Sequence, residues 1–302
     1  MEGQNIDLWK LICIKFAGFR VDAFKATEAF TVTKNSVGYG FNCFYLLFMG
    51  VRMIEVMQIR EPVSALTHGA WVLFCIPATV LLMRRTRNDK LKSIGLLVYG
   101  LTMLACFASS CLFHSVWGSE RIIEACRSLD HVCIFLFIAG TCTPIALVFM
   151  EKRWRFMFLS SMWFFSCAGI SVIVSGTTMP LYVRTTVYLM LGWMGLFLYI
   201  QLLKKLPEKK ARPFMMGGII YSLGAAFNLA HQPVIIPGLI GPHEVFHLVV
   251  ILGSLTHYYF MIKTLAGYSK PLDFAMEMYD NPILISNDAS CLQEIPMSRK
   301  SA

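Results

Sequence analysis

Two histidines stand four residues apart at the beginning of an apolar segment, GPHEVFHLVVILGSLTHYYFMI (241–262). Residues i and i+4 share one face of an α-helix, so the rings of His243 and His247 can reach a single point. Neutral imidazole is a good zinc ligand, at a distance of about 2.0–2.1 Å. A pair with this spacing also arises by chance and in ordinary cores, so the motif alone is weak evidence for a metal site.

A third histidine, His114, closes another apolar segment and would complete a three-histidine set. Three protein ligands leave a tetrahedral position open for water, which is the arrangement of catalytic zinc, and such a water has its pKa lowered to about 7. Asp130 would accept a hydrogen bond from this water as an orienting group or general base. Ser110 lies one turn before His114 on the same face, where its hydroxyl would fix a ligand or a nearby water.

The elements that carry these side chains are predicted to be membrane-spanning helices. The chain has 302 residues, of which 56% are hydrophobic and 15% are charged, whereas about 25% of a soluble domain is charged. Crossing about 30 Å of hydrocarbon takes roughly 20 apolar residues. Seven segments are long enough: 63–83, 93–113, 130–150, 156–176, 185–203, 214–231 and 243–264. We therefore predict an all-α, polytopic bundle of seven transmembrane helices around one core.

The chain is predicted to have three regions: an N-terminal region (1–60), a seven-helix membrane domain (61–266) and a polar tail that we expect to be disordered (267–302). Residues 38–59 leave two alternatives open. Arg52 and Glu55 lie three residues apart and could pair on one helix face, but a charged pair inside a span is costly. We therefore expect an interfacial helix along the membrane surface rather than an eighth span.

The chain has a net charge of +9, and the positions of its Lys and Arg residues indicate a membrane topology rather than a nucleic-acid partner. Connectors 84–92, 151–155 and 204–212, which lie on one side of the bundle, together carry thirteen Lys and Arg residues. The connectors of the opposite side carry three: Arg121, Arg127 and Arg184. Because short cytoplasmic loops are enriched in Lys and Arg, we expect the first side to face the cytoplasm.

The alternating direction of the spans places the unusual polar residues in one layer, on the non-cytoplasmic side. His114 ends the second span there, Asp130 begins the third and His243 begins the seventh. Glu61 and His68, at the start of the first span, are candidates for supporting contacts in the same layer. Ionisable groups at membrane depth are candidates for function, and their convergence is a stronger signal than the histidine pair.

Two other features are expected to be structural. His257 lies near the middle of the seventh span and is interpreted as a hydrogen-bonded core histidine. The ten cysteines form no CxxC pair, and we interpret most of them as small buried hydrophobic residues rather than a disulfide framework.

Four motifs, in order, resemble those of the hemolysin III branch of the progestin and adipoQ receptor (PAQR) family: EPVSALTHG (61–69), SSCLFHSV (109–116), SLDHVCIFLFIAGTCTP (128–144) and GPHEVFHLVVILGSLTHYY (241–259). The resemblance covers roughly 61–264. It implies a seven-helix membrane bundle in which His114, His243 and His247 hold Zn2+. It also implies that Asp130 lies near the zinc-bound water, with Ser110 as a supporting residue.

The resemblance also implies two functions. The wider group includes alkaline ceramidases, so a receptor-like lipid hydrolase is expected, in which zinc-bound water cleaves a ceramide-like amide and Asp130 handles the protons. The alternative is a signalling receptor whose zinc only joins the second and seventh spans, without turnover. A pore is disfavoured because the sequence has no ring of charge.

The expected partner is a membrane lipid or a lipid-like ligand, and no protein partner is identified. We expect an integral, multi-pass protein of the plasma membrane or an internal membrane. Adiponectin receptors place the zinc layer on the cytoplasmic side and alkaline ceramidases on the opposite side. The loop charges of this chain favour the non-cytoplasmic side.

Overall fold

The structure is a computed structural model that describes residues 59–269 of the chain. All regular elements in this range are helical: α1 (Pro62–Thr86), α2 (Lys90–Ser115), α3 (Glu120–Phe149), α4 (Lys152–Val174), α5 (Leu181–Trp193), α6 (Gly195–Leu203), α7 (Glu208–Ala230) and α8 (Pro242–Phe260), which continues into a π-helical turn (Met261–Leu265). The predicted interfacial helix near 38–59 and the predicted tail lie outside the described residues, apart from residues 59 and 267–269.

Seven helical segments of the described range are long and apolar enough to cross a membrane. Helices α5 and α6 form one of them, Leu181–Leu203, and α8 with its π-helical turn forms another, Pro242–Leu265. The prediction of an all-α bundle of seven transmembrane helices is confirmed.

Helix α3 begins ten residues earlier than the sequence indicated. Its first turns carry Glu120, Arg121, Glu124 and Arg127, which depressed the local hydropathy, but the segment is helical and Arg127 pairs with Glu124 at 2.6 Å. Asp130 was expected to open this helix. It instead lies almost three turns inside it, because a helix advances 3.6 residues per turn.

The fifth span, predicted as a single helix, is one helical segment with a one-residue irregularity at Met194, whose backbone torsions stay helical (φ −56°, ψ −24°). Helix α5 starts at Leu181, directly after Pro180, and ends at Trp193, and α6 resumes at Gly195. This irregularity lies between Gly192 and Gly195, and glycine is a poor helix former. Both glycines line the internal cavity described below.

Helix α3 is the central helix of the bundle. In its membrane window 72% of the residues are buried, against 22% in α1. Close approach to α2 depends on a small residue, because a Cβ added to Gly140 would lie 2.0 Å from Thr102 Oγ1. Small residues allow helix backbones to approach in this way in membrane proteins.

Helix α8 closes the bundle by packing on α7 and α1. Trp71 Nε1 of α1 donates to Ser254 Oγ of α8 at 3.2 Å. At the start of α8 the Gly241 N–H donates to Glu244 Oε2 at 2.9 Å, which satisfies one of the free amides of the helix N-terminus. Ring contacts of His243 and His247 with His114 place the first turns of α8 beside the last turn of α2.

Candidate metal centre

The rings of the three predicted histidine ligands converge at the end of α2 and the start of α8. Their centroids are 5.2 Å apart for His114 and His243, and 4.6 Å apart for each of the other two pairs. One ring nitrogen from each residue lies within 4.8 Å of the others. His114 and His247 are buried and His243 is half-buried, so the cluster points into the protein.

The spacing of these nitrogens fits a metal ion. Nε2 of His243 and Nε2 of His247 are 3.1 Å apart. Tetrahedral zinc with ligands at about 2.0–2.1 Å requires ligand atoms roughly 3.3–3.4 Å apart. Three neutral imidazoles can therefore hold a divalent cation here after small side-chain movements, and the donor set suits zinc among other transition metals.

Glu61 orients His114 from outside the first span. Its Oε2 lies 2.5 Å from His114 Nδ1, and its backbone N–H donates to the carbonyl oxygen of His114 at 2.9 Å. The hydrogen bond with His114 holds the pKa of Glu61 below its usual value although the carboxylate is partly buried. A metal-ligating histidine commonly donates its second N–H to a carboxylate in this manner. Nε2 of His114 is then the nitrogen left for a metal.

Arg60 braces the same carboxylate. Its guanidinium lies 3.2 Å from Glu61 Oε1 and donates to the carbonyl oxygen of Phe113 at 2.7 Å. It also lies over the Phe113 ring, 4.4 Å from the centroid. These contacts tie the residues before α1 to the end of α2.

Asp130 and Ser110 lie together beside the cluster. Asp130 is 8% exposed, and Ser110 is one of its polar neighbours. The prediction that Ser110 fixes a ligand or a water stays a prediction. Both residues line the cavity that begins at the histidines.

His68 packs behind the cluster. Its ring stacks on His247 with centroids 4.0 Å apart and meets the edge of Phe107 at 4.9 Å. Neither of its ring nitrogens has a hydrogen-bond partner. The ring therefore restricts the orientation of His247 and forms part of the cavity wall.

A cavity of about 350 Å³ leads from the histidine cluster into the bundle. His243, His247 and Asp130 line one end and His257 lines the other, with mostly apolar side chains from α3, α5, α7 and α8 between them. Cavities of roughly 300–1,000 Å³ bind small molecules. Its lining is mostly apolar, with His243, His247 and Asp130 among the polar exceptions.

Sequence reasoning missed several residues of this region. Ser64 Oγ donates to Glu244 Oε1 at 3.3 Å and so joins the starts of α1 and α8. Arg184 and Tyr188 line the cavity. Glu244 lies between His243 and His247 in the sequence, which could have indicated a role at the site. Arg184 entered the sequence analysis only in the comparison of loop charges.

Comparison with known proteins supports the family resemblance that the four motifs indicate. Residues 57–258 match the family described as haemolysin-III related. The chain is 28% identical over 205 residues to hemolysin-3 of Bacillus cereus, covering 67% of this chain and 90% of that protein. It is 28% identical over 207 residues to the hemolysin-3 homolog of Bacillus subtilis (strain 168), covering 68% and 94%.

A human protein is also similar. The monocyte to macrophage differentiation factor of Homo sapiens is 26% identical over 218 residues, covering 69% of this chain and 84% of that protein. The match to the family extends over about two thirds of the chain and includes His114, Asp130, His243 and His247. The chain is thus an integral, multi-pass membrane protein that belongs to the haemolysin-III related family, the hemolysin III branch of the PAQR family.

Proposed function

We propose that the protein is a receptor-like, zinc-dependent hydrolase of a lipid amide, and that the membrane domain 61–266 is its functional unit. The observation that carries the proposal is the placement of three imidazole nitrogens within 4.8 Å of one another, two of them on His243 and His247, which line a largely apolar cavity. His114, His243 and His247 would hold the ion. An acyl chain fits the cavity and would place its carbonyl group at the histidines.

A bound zinc ion would supply Lewis acidity at a carbonyl oxygen and lower the pKa of a water from about 15.7 to about 7. In the reaction, the oxygen of water bonds to the carbonyl carbon, the C–N bond breaks and the amine leaves with a proton. Asp130 takes the proton from water and returns it to the nitrogen, and the Ser110 hydroxyl orients that carboxylate.

The remaining residues of the site hold the metal-binding histidines in place. Glu61 holds the His114 ring by its Nδ1, and His68 limits the rotation of His247 by stacking on it. The apolar cavity walls exclude bulk water from the acyl chain, which favours reaction at the polar end only.

A second candidate function rests on a different observation. The histidine cluster and Glu61 connect the start of α1, the end of α2 and the start of α8. A zinc ion at this junction would stabilise the packing of three helices, as in a signalling receptor that performs no hydrolysis. The hydrolase and the receptor are distinguished by whether the protein hydrolyses a lipid amide.

Purified protein in lipid nanodiscs should be assayed for zinc content and for release of fatty acid from ceramide. We expect about one zinc per chain and measurable turnover in the wild type. His247→Ala should lose both, whereas Asp130→Ala should keep the zinc and lose the turnover. His231→Ala, an exposed residue outside the cluster, is the matched control and should keep both.

Two results would contradict the hydrolase. Zinc with no turnover of any lipid amide in the wild type would favour the structural role. Full turnover in Asp130→Ala would remove the proposed proton-transfer residue.

A further inference from the structure

The end of α2, which carries the candidate ligand His114, is held by the two residues that precede α1. The last carbonyl groups of a helix have no partner within the helix. Here the carbonyl oxygen of Phe113 accepts from Arg60 Nη2 at 2.7 Å, and that of His114 accepts from the Glu61 N–H at 2.9 Å. A basic side chain can satisfy the last carbonyls of a helix in this way. Arg60 and Glu61 therefore restrain the backbone on which the ring of His114 is mounted.

The guanidinium of Arg60 makes three contacts in one orientation. Besides donating to the carbonyl oxygen of Phe113, Nη2 lies 3.2 Å from Glu61 Oε1. An Nη nitrogen has two N–H groups in the plane of the guanidinium, so it can serve both oxygens at once. The guanidinium carbon lies 4.4 Å from the centroid of the Phe113 ring, a favourable arrangement for a cation on an aromatic face. The side chain is only 14% exposed, so the group has little freedom to leave this position.

The carboxylate of Glu61 depends on these restraints. Its Oε2 meets Nδ1 of His114 and its Oε1 meets Arg60. Its side chain is 38% exposed, so water competes for both oxygens. Without Arg60, only the histidine would keep the carboxylate from turning towards water.

A second arginine lies over the same aromatic ring but pairs with a different carboxylate. The guanidinium carbon of Arg127, on α3, lies 5.7 Å from the centroid of Phe113. Its Nη1 lies 2.6 Å from Glu124 Oε2, in a pair whose side chains are both about half exposed. Arg60 and Arg127 thus share the aromatic contact and differ in the carboxylate that they hold.

We propose that Arg60 is a positioning residue for the metal centre, which acts on His114 through the carboxylate of Glu61. With Oε1 held by Arg60, the carboxylate keeps Oε2 on Nδ1 of the histidine, and Nε2 is then the nitrogen presented to a metal ion. The inference rests on the proposed function in that His114 is a metal ligand. It does not require that the protein hydrolyses a lipid.

Two effects of Arg60 on a bound cation oppose each other. Its positive charge repels the ion, whereas its restraint of Glu61 favours binding. The carboxylate 3.2 Å from the guanidinium offsets most of that charge, and the partly exposed pair is screened by water. We therefore expect the restraint to outweigh the repulsion.

Zinc affinity is measured by competition with a chelator on the full chain in nanodiscs. Arg60→Gln should bind zinc about three- to tenfold more weakly, less than the loss of about 10- to 100-fold expected for Glu61→Ala, because the carboxylate itself remains. Arg60→Lys keeps the charge without the planar fork and should have an intermediate affinity. It also carries the test if the glutamine variant does not fold. Arg127→Gln is the matched control and should bind zinc as the wild type does.

A double-mutant cycle tests whether Arg60 acts through Glu61. Arg60→Gln should lose most of its effect on zinc affinity when Glu61→Ala is already present. The visible absorption spectrum of Co2+ bound in place of zinc reports the geometry of the ligands, so it should change in Arg60→Gln and not in Arg127→Gln. Thermal unfolding without metal measures the effect of each substitution on stability alone.

The outcomes separate this inference from the proposed hydrolysis. Weaker zinc binding in Arg60→Gln that disappears in the Glu61→Ala background would support the positioning role, even in a protein without turnover. Wild-type affinity in Arg60→Gln, tighter binding in that variant, or an undiminished effect in the Glu61→Ala background would overturn it, while the hydrolase would still stand on its ceramide assay. A wild-type protein that binds no zinc would overturn both.

Discussion

Oε2 of Glu61 lies 2.5 Å from Nδ1 of His114, and this contact joins the residue before α1 to the last turn of α2. The two residues are 53 positions apart in the chain. Because the carboxylate accepts the N–H of Nδ1, the tautomer of the ring is fixed and Nε2 is the nitrogen available to a metal. The contact therefore gives Glu61 a role in metal affinity that does not require it to touch the ion.

Glu61→Ala is expected to weaken zinc binding by about 10- to 100-fold, the usual effect of removing a carboxylate that supports a ligating histidine. Glu61→Gln should have a smaller effect, because an amide oxygen still accepts the hydrogen bond. Titration with a competing chelator measures both. Glu124→Gln, at an exposed pair with Arg127, serves as the control, and equal affinities in all three variants would show that Glu61 does not orient His114.

Asp89, which lies outside the membrane spans, should make the stability of the protein depend on pH. Partial burial acts to raise its pKa, but the hydrogen bond from the Lys92 N–H, at 3.0 Å, and the ion pair with Lys92 outweigh it and leave the pKa lowered. As the N-cap of α2, it should contribute about 0.5–1 kcal/mol, the low end for a cap, because its side chain is 42% exposed.

A group with a lowered folded-state pKa stabilises the protein above its unfolded pKa of about 3.9, and the effect is lost as the pH falls through the folded value. The stability difference between the wild type and Asp89→Ala should therefore be constant from pH 7 to about pH 4 and should shrink below it. Thermal unfolding in detergent at a series of pH values measures this. Asp89→Asn is the control, because the amide retains a capping oxygen that does not titrate, so its capping contribution should not change with pH. If the stability difference between Asp89→Ala and the wild type stayed constant down to pH 2, the Asp89 carboxylate would not be the stabilising group.

Gly140→Ala should destabilise the bundle by about 1–3 kcal/mol, the usual cost of overpacking a tight core. The added methyl group would lie 2.0 Å from Thr102 Oγ1 and 2.9 Å from Thr102 Cβ, so α2 and α3 must separate. Gly218→Ala is the comparison, because nothing lies within 4 Å of its added Cβ and alanine is the better helix former by about 1 kcal/mol. A lower melting temperature for Gly218→Ala than for Gly140→Ala would refute this account of the packing.

The proposed orientation predicts which loops are exposed to each side of the membrane. A cysteine in place of Val234, in the α7–α8 connector, should react with an impermeant maleimide on intact cells or right-side-out vesicles. Lys209→Cys, at the start of α7, should react only after the membrane is permeabilised. The reverse pattern would place the histidine cluster on the cytoplasmic side.

Local properties of the chain were enough to predict the seven spans and the layer of histidines. Hydrophobic length determines whether a segment crosses a membrane, and span direction alternates along the chain. His243 and His247 share a face because the helical repeat places them one turn apart. The convergence of His114 with that pair followed from the parity of the spans, since both helix ends lie on one side.

Tertiary structure decided the contacts that depend on how the helices rotate and how closely they approach. Ser110 lies near Asp130, His68 stacks on His247, and Nε2 of His257 donates to a carbonyl oxygen of α7. None of these is fixed by spacing within one helix, because each depends on side-chain packing between segments that are distant in the chain. The depth of Asp130 within α3 was also misjudged from hydropathy, since a charged helical turn before a span has the composition of a loop.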